Sequence, residues 1–329
     1  MKHIIFGGDG FLGTELTRKL VERGERVLVC DEKRTERFGN YDLPGVDYLA
    51  MDVTRPETFD PIEVEEGDVV YHFAARLLVP ILPRSERRDY FWQALYVGTE
   101  NVLSWMERKG LRRMIYYTTD MVYGHTVVHP RTEEHPREPI GPYGEAKYRT
   151  ELLVDEYREK GFSITLFRPR LIIGHGRLGI LEKLFKLVDR NLPVPTIGNG
   201  RNYYQFISVS DCADACLAAV DKGFPNENFN LGSDDPPTVK ELLGKLIEEA
   251  GSRSRVVPTP AFAVKGTLAA LDRIGRPLMD PEQYLIADET CVLDCSKAER
   301  LLDWRPKDDD ASMLLLAYRD YKAGRSRDV

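Results

Sequence analysis

The chain has 329 residues, of which 42% are hydrophobic and 30% charged, and a net charge of −7. That length and balance suit an ordinary globular protein built as one large α/β domain or as two closely joined lobes. The negative charge, with no basic tract carrying interleaved aromatics, argues against a nucleic-acid binder, and no apolar run is long enough to span a bilayer.

The chain opens on a run of β-formers, Lys2-His3-Ile4-Ile5-Phe6, so no secretory leader is expected and a cytoplasmic location is. The run breaks into Gly7-Gly8-Asp9-Gly10-Phe11-Leu12-Gly13, followed by a helical pattern with Leu12, Leu16, Leu20 and Val21 on one face. Strand, glycine turn and helix together present backbone N–H groups and a helix N-terminus to a pyrophosphate. The glycines fit two registers, Gly8-x-Gly10-x-x-Gly13 and Gly7-x-x-Gly10-x-x-Gly13. Arg26–Cys30 reads as a second strand ending at Asp31, about 20 residues beyond the turn, where a carboxylate would accept hydrogen bonds from an adenosine ribose. Its charge favours NAD, although Lys33 and Arg34 lie close enough to meet the 2′-phosphate of NADP.

Val46–Ala50 is a third strand, leading to Asp52, which could face the adenine edge. Asp68–Ala75 is a fourth, and its small terminal residues let backbone approach a ligand. His72 on it suits a positional role beside a cofactor better than that of a catalytic base. Arg88–Arg108 reads as a long helix whose aromatics suit core packing or a subunit contact, and Met114–Thr118 as the fifth strand. Pro142 is placed to open another helix, and Phe162–Arg168 is the sixth strand.

Beyond Pro169 the regular alternation weakens. A helical stretch is expected over 180–189, a strand at Phe206–Val209, a helix capped by Ser210-Asp211, a strand at Phe229–Gly232, an amphipathic helix at Val239–Ala250, and an apolar helix from Ala261 to Ile274. The last of these is a candidate lid or wall of a substrate pocket. Among the five cysteines, Cys212/Cys216 and Cys291/Cys295 are each four apart. No histidine lies at ligand spacing, so buried thiols are expected and no metal.

Tyr143-Gly-Glu-Ala-Lys147 places a phenol and an ammonium on one helix face. A free tyrosine titrates near pH ~10, and the Lys147 ammonium with a charged nicotinamide should lower that value. Thr119, at the end of the fifth strand, can donate a hydrogen bond to the same substrate oxygen. Such a set suits removal of a proton from a secondary alcohol while NAD takes the hydride, or the reverse.

In this order, the motifs resemble those of an extended short-chain dehydrogenase/reductase of the NAD-dependent epimerase/dehydratase type. The matching pieces are Gly7-x-x-Gly10-x-x-Gly13, Asp31, Asp52-Val53, His72-x-Ala74-Ala75, Gly98-Thr99, Thr119-x-x-Val122-Tyr123-Gly124, Tyr143/Lys147, Arg168-Pro169, Val209-x-Asp211, Asn230-x-Gly232 and Asp294-x-Ser296-Lys297-Ala298. The resemblance implies a Rossmann-type doubly wound parallel sheet over residues 1–170, with returning segments near 203–222 and 229–232, and a smaller C-terminal α/β substrate lobe in 171–329. It implies a homodimer built on the Arg88–Arg108 and Tyr143–Lys160 helices. Thr119, Tyr143 and Lys147, with Asp120, become the catalytic set. The cofactor residues become Gly7, Gly10, Phe11, Leu12, Gly13, Asp31, Asp52, Val53, Phe73, Ala74, Ala75, Tyr143, Lys147 and Arg168. Arg76, Thr119, Leu171, Arg177, Arg201 and Tyr204 are expected near the substrate.

Three departures bear on the substrate. Dehydratases of this family carry Thr-Asp-Glu before Val-Tyr-Gly, and here Met121 fills the second acid's place. Nucleotide-sugar binders often have Asn where this chain has Leu171, and Arg where it has Tyr204. Arg177, Arg201 and Arg253 are candidates to replace that arginine. A nucleotide-sugar epimerase is therefore the leading expectation. The alternatives are a hydroxysteroid- or dihydroflavonol-reductase-like dehydrogenase, with Leu171, Ile172, Tyr204 and the 261–274 helix lining an apolar site, and a non-catalytic NAD-sensing protein.

Overall fold

A computed structural model describes residues 1–39, 42–78, 80–179 and 181–324; Ile180, the first residue of one expected helix, and the last five residues of the expected substrate lobe lie outside these. The chain runs β1 (Lys2–Phe6), α1 (Phe11–Glu22), β2 (Arg26–Asp31), β3 (Val46–Ala50), β4 (Val69–His72), α2 (Arg84–Phe91), α3 (Gly98–Lys109), β5 (Arg113–Tyr117), α4 (Pro142–Glu159) and β6 (Ser163–Pro169). It continues through β7 (Leu171–Ile173), α5 (Leu181–Asp189), β8 (Val194–Ile197), β9 (Phe206–Ser208), α6 (Val209–Asp221), β10 (Asn228–Leu231), α7 (Val239–Glu249), β11 (Val256–Thr259), α8 (Ala261–Arg273), α9 (Pro281–Tyr284), α10 (Ser296–Leu302) and α11 (Asp310–Lys322).

Among the described residues, seven strands form one parallel sheet in the order β10-β6-β5-β4-β1-β2-β3. The two-residue period of each strand sends alternate side chains to opposite faces. Ile4, Phe6, Val70, Met114, Tyr116 and Leu166 pack with Trp105 of α3 and Val154 of α4. Ile5, Val29, Tyr71, Ile115, Tyr117 and Phe167 pack with Leu16 of α1 and Cys212, Ala213 and Cys216 of α6. A sheet buried on both faces needs such near-continuous apolar strands. β10 lies beside β6, so a strand from beyond residue 200 completes the edge. Lys19–Asp214 and Arg23–Asp221 ion pairs tie α1 to the returning helix α6.

The order reverses at β1, which pairs with β2 on one side and β4 on the other. That is the switch point at which doubly wound sheets bind ligands, outside the carboxyl ends of the strands. The remaining chain builds two small parallel pairs, β7 with β9 and β8 with β11, over a core that includes Phe185, Leu246, Leu314 and Tyr318.

Several boundaries differ from the sequence expectation. The long helix begins at Arg84, after Pro83, and passes through a π-helical stretch, Trp92–Val97, whose half-buried Trp92 and Tyr96 stack at 4.5 Å. Ser208, not Ser210, caps α6, accepting a hydrogen bond from the Asp211 N–H. Only Asp272 of α8 is buried and Phe262 is 82% exposed, so the apolar helix lies on the outside of the molecule.

Candidate active site

Gly7 leaves β1 in the left-handed region, at φ +80°, and a Cβ there would lie 2.4 Å from the Ala74 nitrogen, where the β1 and β4 chains meet. Glycine is required on both counts. A Cβ on Gly13 would lie 2.5 Å from the Gly7 carbonyl oxygen, so this residue lets α1 rest directly on the turn. Gly10 caps α1 with no side-chain hydrogen bond, leaving the first-turn N–H groups of Phe11, Leu12 and Gly13 for an anion. These residues fit a dinucleotide's pyrophosphate.

Asp31, at the end of β2, accepts hydrogen bonds from the N–H groups of Asp9 (3.0 Å) and Glu32 (2.8 Å). Burial nonetheless pushes its carboxyl up to about 6. Arg34 is paired with Glu36 and Asp42. Asp52 accepts from the Thr54 N–H and hydroxyl, and Val53 packs under Gly98, where a Cβ would meet its Cγ2 at 2.8 Å. Phe73 follows β4, donating its N–H to the Phe6 carbonyl, and leads into Ala74 and Ala75 at the switch point. Below them His72 is buried, stacked on Tyr116 and bonded to Thr99, and burial lowers its pKa to about 3. It is a neutral core residue.

Thr119 follows β5 and accepts a hydrogen bond from the Met121 N–H (3.2 Å). The Tyr143 phenol faces Thr119 from α4, and its ring meets Phe91 edge-on at 5.4 Å. Lys147, one turn on, donates to the Tyr117 carbonyl at 2.9 Å. The structure thus brings Thr119, Tyr143 and Lys147 together at the carboxyl end of β5. The electrostatics differ from the sequence expectation. Burial, and then the Glu282 carboxylate, raise the Tyr143 pKa, against the Thr119 hydrogen bond, which lowers it. Burial also lowers Lys147 to about 7, against the Glu151 carboxylate. Desolvation, invisible in a spacing, outweighs the neighbouring charge.

Asp120 and Arg168 also sit differently from expectation. Asp120 is 2% exposed; its Oδ2 accepts from Arg170, and Arg131 lies 3.8 Å away. Arg168 is 1% exposed and spends its guanidinium on Glu151 (2.9 and 2.7 Å), the Tyr123 hydroxyl and the Glu133 carbonyl. It is a buried brace between β6 and α4.

Of the arginines weighed for the substrate, Arg201 and Arg253 are exposed. Arg177 lies over the Phe11 ring at 5.3 Å, close enough to Tyr143 for the two charges to interact. Arg76 pairs with Glu32 at 2.8 Å and lies over Tyr90. Leu171 pairs with Phe206 in the small lobe. Tyr204 lies beneath the Arg170 guanidinium, 5.1 Å from its ring centre. A cation has therefore returned beside the position where arginine was missing, but Asp120 neutralises it. Neither Arg170 nor Glu282 stands out in the sequence; adjacency to the Arg-Pro pair was the one signal for the first, and nothing marked the second.

The family model described as NAD dependent epimerase/dehydratase family matches residues 3–232. A putative UDP-glucose 4-epimerase of Methanocaldococcus jannaschii is 26% identical over 261 residues, 77% of this chain and 84% of its own. The dTDP-glucose 4,6-dehydratase of Streptomyces antibioticus is 28% identical over 342 residues, covering 98% and 94%. Among solved structures, UDP-glucose 4-epimerase of Thermotoga maritima with UDP-glucose superposes with a TM-score of 0.77 at 25% identity, over 98% of this chain and 99% of that one.

Proposed function

The chain belongs to the NAD-dependent epimerase/dehydratase family, and from that premise we propose that it is an epimerase acting on a secondary alcohol of a nucleotide-linked sugar. The observation that carries this reading is the meeting of Thr119, Tyr143 and Lys147 at the carboxyl end of β5, two strands from the glycine turn that follows β1. Bound NAD supplies a hydride acceptor. Tyr143, whose raised pKa the positive charge of a bound nicotinamide would bring down, would take the proton of the substrate hydroxyl, and Thr119 would donate a hydrogen bond to the same oxygen. Lys147, which donates to the Tyr117 carbonyl, would hold a hydroxyl of the nicotinamide ribose; its ammonium, kept only below about pH 7, would favour the phenolate against the burial that raises Tyr143. Epimerisation would ask Tyr143 only to return the same proton to the same oxygen, with Thr119 bonded to that oxygen, so no proton or electron would be gained or lost overall.

Two features support epimerisation over dehydration. Elimination of water needs an acid and a base beside the ring, and Met121 can move no proton. Asp120 is engaged by Arg170. Asp31 is assigned to the adenosine ribose, and this reading carries a pH dependence. The ionised carboxylate accepts hydrogen bonds from ribose hydroxyls, whereas its carboxyl is pushed up to about 6. NAD affinity should therefore weaken as pH falls through about 6, and Asp31→Asn should flatten that dependence. Fluorescence titration of NAD at a series of pH values checks this; an unchanged slope in the variant removes Asp31 from the ribose.

Calorimetric titration of UDP, dTDP, GDP and CDP into the NAD-loaded protein tests the substrate class. Saturable binding of one nucleotide is expected. No binding by any of them overturns the nucleotide-sugar reading. A second reading, a dehydrogenase of an uncharged alcohol, is favoured by one observation: Leu171 and Tyr204 stand where polar phosphate ligands are common, and Asp120 cancels the nearby Arg170. Net reduction of NAD by uncharged secondary alcohols would then be the outcome.

A further inference from the structure

The helix that carries Tyr143 and Lys147 has no cap of its own. Gly141 occupies the capping position, and no side chain from the adjoining sequence bonds to the first-turn N–H groups. A helix start leaves its first N–H groups without partners in the helix, and burying them unpaired is costly; Pro142 has none, which leaves those of Tyr143 and Gly144 in the first turn. Here they are met from a distant part of the chain. Glu282, on the single turn α9, accepts from the Tyr143 N–H through Oε1 and from the Gly144 N–H through Oε2, both at 2.7 Å.

The contact is shaped on both sides. Glu282 is 2% exposed. A Cβ on Gly141 would lie 2.5 Å from its Cγ, and one on Gly144 would lie 2.9 Å from its Oε2, so the two glycines flanking Tyr143 leave room for the carboxylate. Asp280 caps α9 by accepting from the Glu282 N–H at 2.9 Å. Arg87 of α2 pairs with Asp272 of α8 and lies 3.8 Å from Asp280, fixing the segment from two sides. The groups facing Glu282 are therefore Asp280 on its own turn, Arg87 from α2, Asp272 behind it on α8, and Tyr143 on α4.

We propose that Glu282 is a positioning residue for the reaction assigned above: a carboxylate from the far end of the chain that caps the Tyr143 helix and makes the placement of the phenol depend on docking of the 280–284 segment. Two physical effects combine. A carboxylate at a helix N-terminus is favoured by the helix dipole, and a bidentate cap holds the first turn still. The same negative charge disfavours the phenolate and raises the Tyr143 pKa. Burial pushes Glu282 itself up to about 7, so the cap changes protonation near neutrality.

The inference rests on Tyr143 being the base, but its test needs no substrate. In the NAD-loaded full chain, amide hydrogen exchange at Tyr143 and Gly144 is measured together with the pH titration of the tyrosine Cζ resonances, that of Tyr143 being the one lost in Tyr143→Phe. Glu282→Gln keeps the shape and one acceptor but removes the charge. It should speed exchange at both amides by roughly fivefold to tenfold and move the Tyr143 titration to lower pH. Glu282→Asp keeps the charge but is too short to reach both amides, so faster exchange with a smaller titration shift is expected. Faster exchange with an unmoved titration in Glu282→Gln would reduce Glu282 to a structural cap and overturn the proposal. Unchanged exchange in both variants would overturn it as well. Neither failure touches the nucleotide titration, which decides the substrate class separately.

Discussion

Tyr143→Phe should lower turnover by about 10²- to 10⁴-fold, the usual contribution of a positioned general base, while leaving NAD binding nearly intact. The variant keeps the ring that meets Phe91 at 5.4 Å and the backbone N–H that Glu282 accepts, so packing and the helix cap survive. What it removes is the hydroxyl that faces Thr119. Stopped assay of the sugar nucleotide picked out by calorimetry, alongside NAD affinity, separates the two effects. A variant that retains most of its turnover would move the base elsewhere. Lys147, the other group in reach, carries a pKa lowered to about 7 and would be the next to substitute.

Gly13→Ala should abolish tight NAD binding, with a loss of at least about 100-fold, and lower stability by roughly 1–3 kcal/mol. The new Cβ would stand 2.5 Å from the Gly7 carbonyl oxygen, 2.6 Å from the Gly8 Cα and 2.7 Å from the Gly8 oxygen. All three are backbone atoms, and the turn they belong to is itself pinned by Gly7 and Gly8 donating to the Cys30 carbonyl. Relief must come from moving α1 away, which withdraws its N–H groups from the pyrophosphate. Gly10→Ala supplies the internal comparison. Its Cβ would meet only the Gly7 oxygen and carbonyl carbon, at 3.0 and 4.0 Å, among protein atoms. Folding of Gly10→Ala should suffer less than that of Gly13→Ala, so a loss of NAD affinity out of proportion to its stability change reports steric exclusion of the ligand. Thermal denaturation and NAD titration of both variants make the distinction. Equal effects on stability would show that the tight approach at Gly13 is not what sets α1 against the turn.

The sequence alone determined the scaffold and the order of the candidate groups because both are written in local signals. Apolar β-runs, glycines between strand and helix, and a proline at a helix start act within one or two turns of chain. Tyr143 and Lys147 fall on one face because four residues make about one helical turn. Thr119 could be placed because strands in a doubly wound sheet end at a common rim.

Only the tertiary structure decided which of these groups are free to act and what charges they hold. Glu282 reaches the Tyr143 backbone across 139 residues, and Arg170 reaches Asp120 across 50. No periodicity encodes such meetings. Burial then set the direction in which Tyr143, Lys147 and Asp31 are displaced from their ordinary pKa values, because removing an ionised group from water costs more than the nearest partner returns. The sequence named the candidate residues; the packing of distant segments around them set their protonation and their positions.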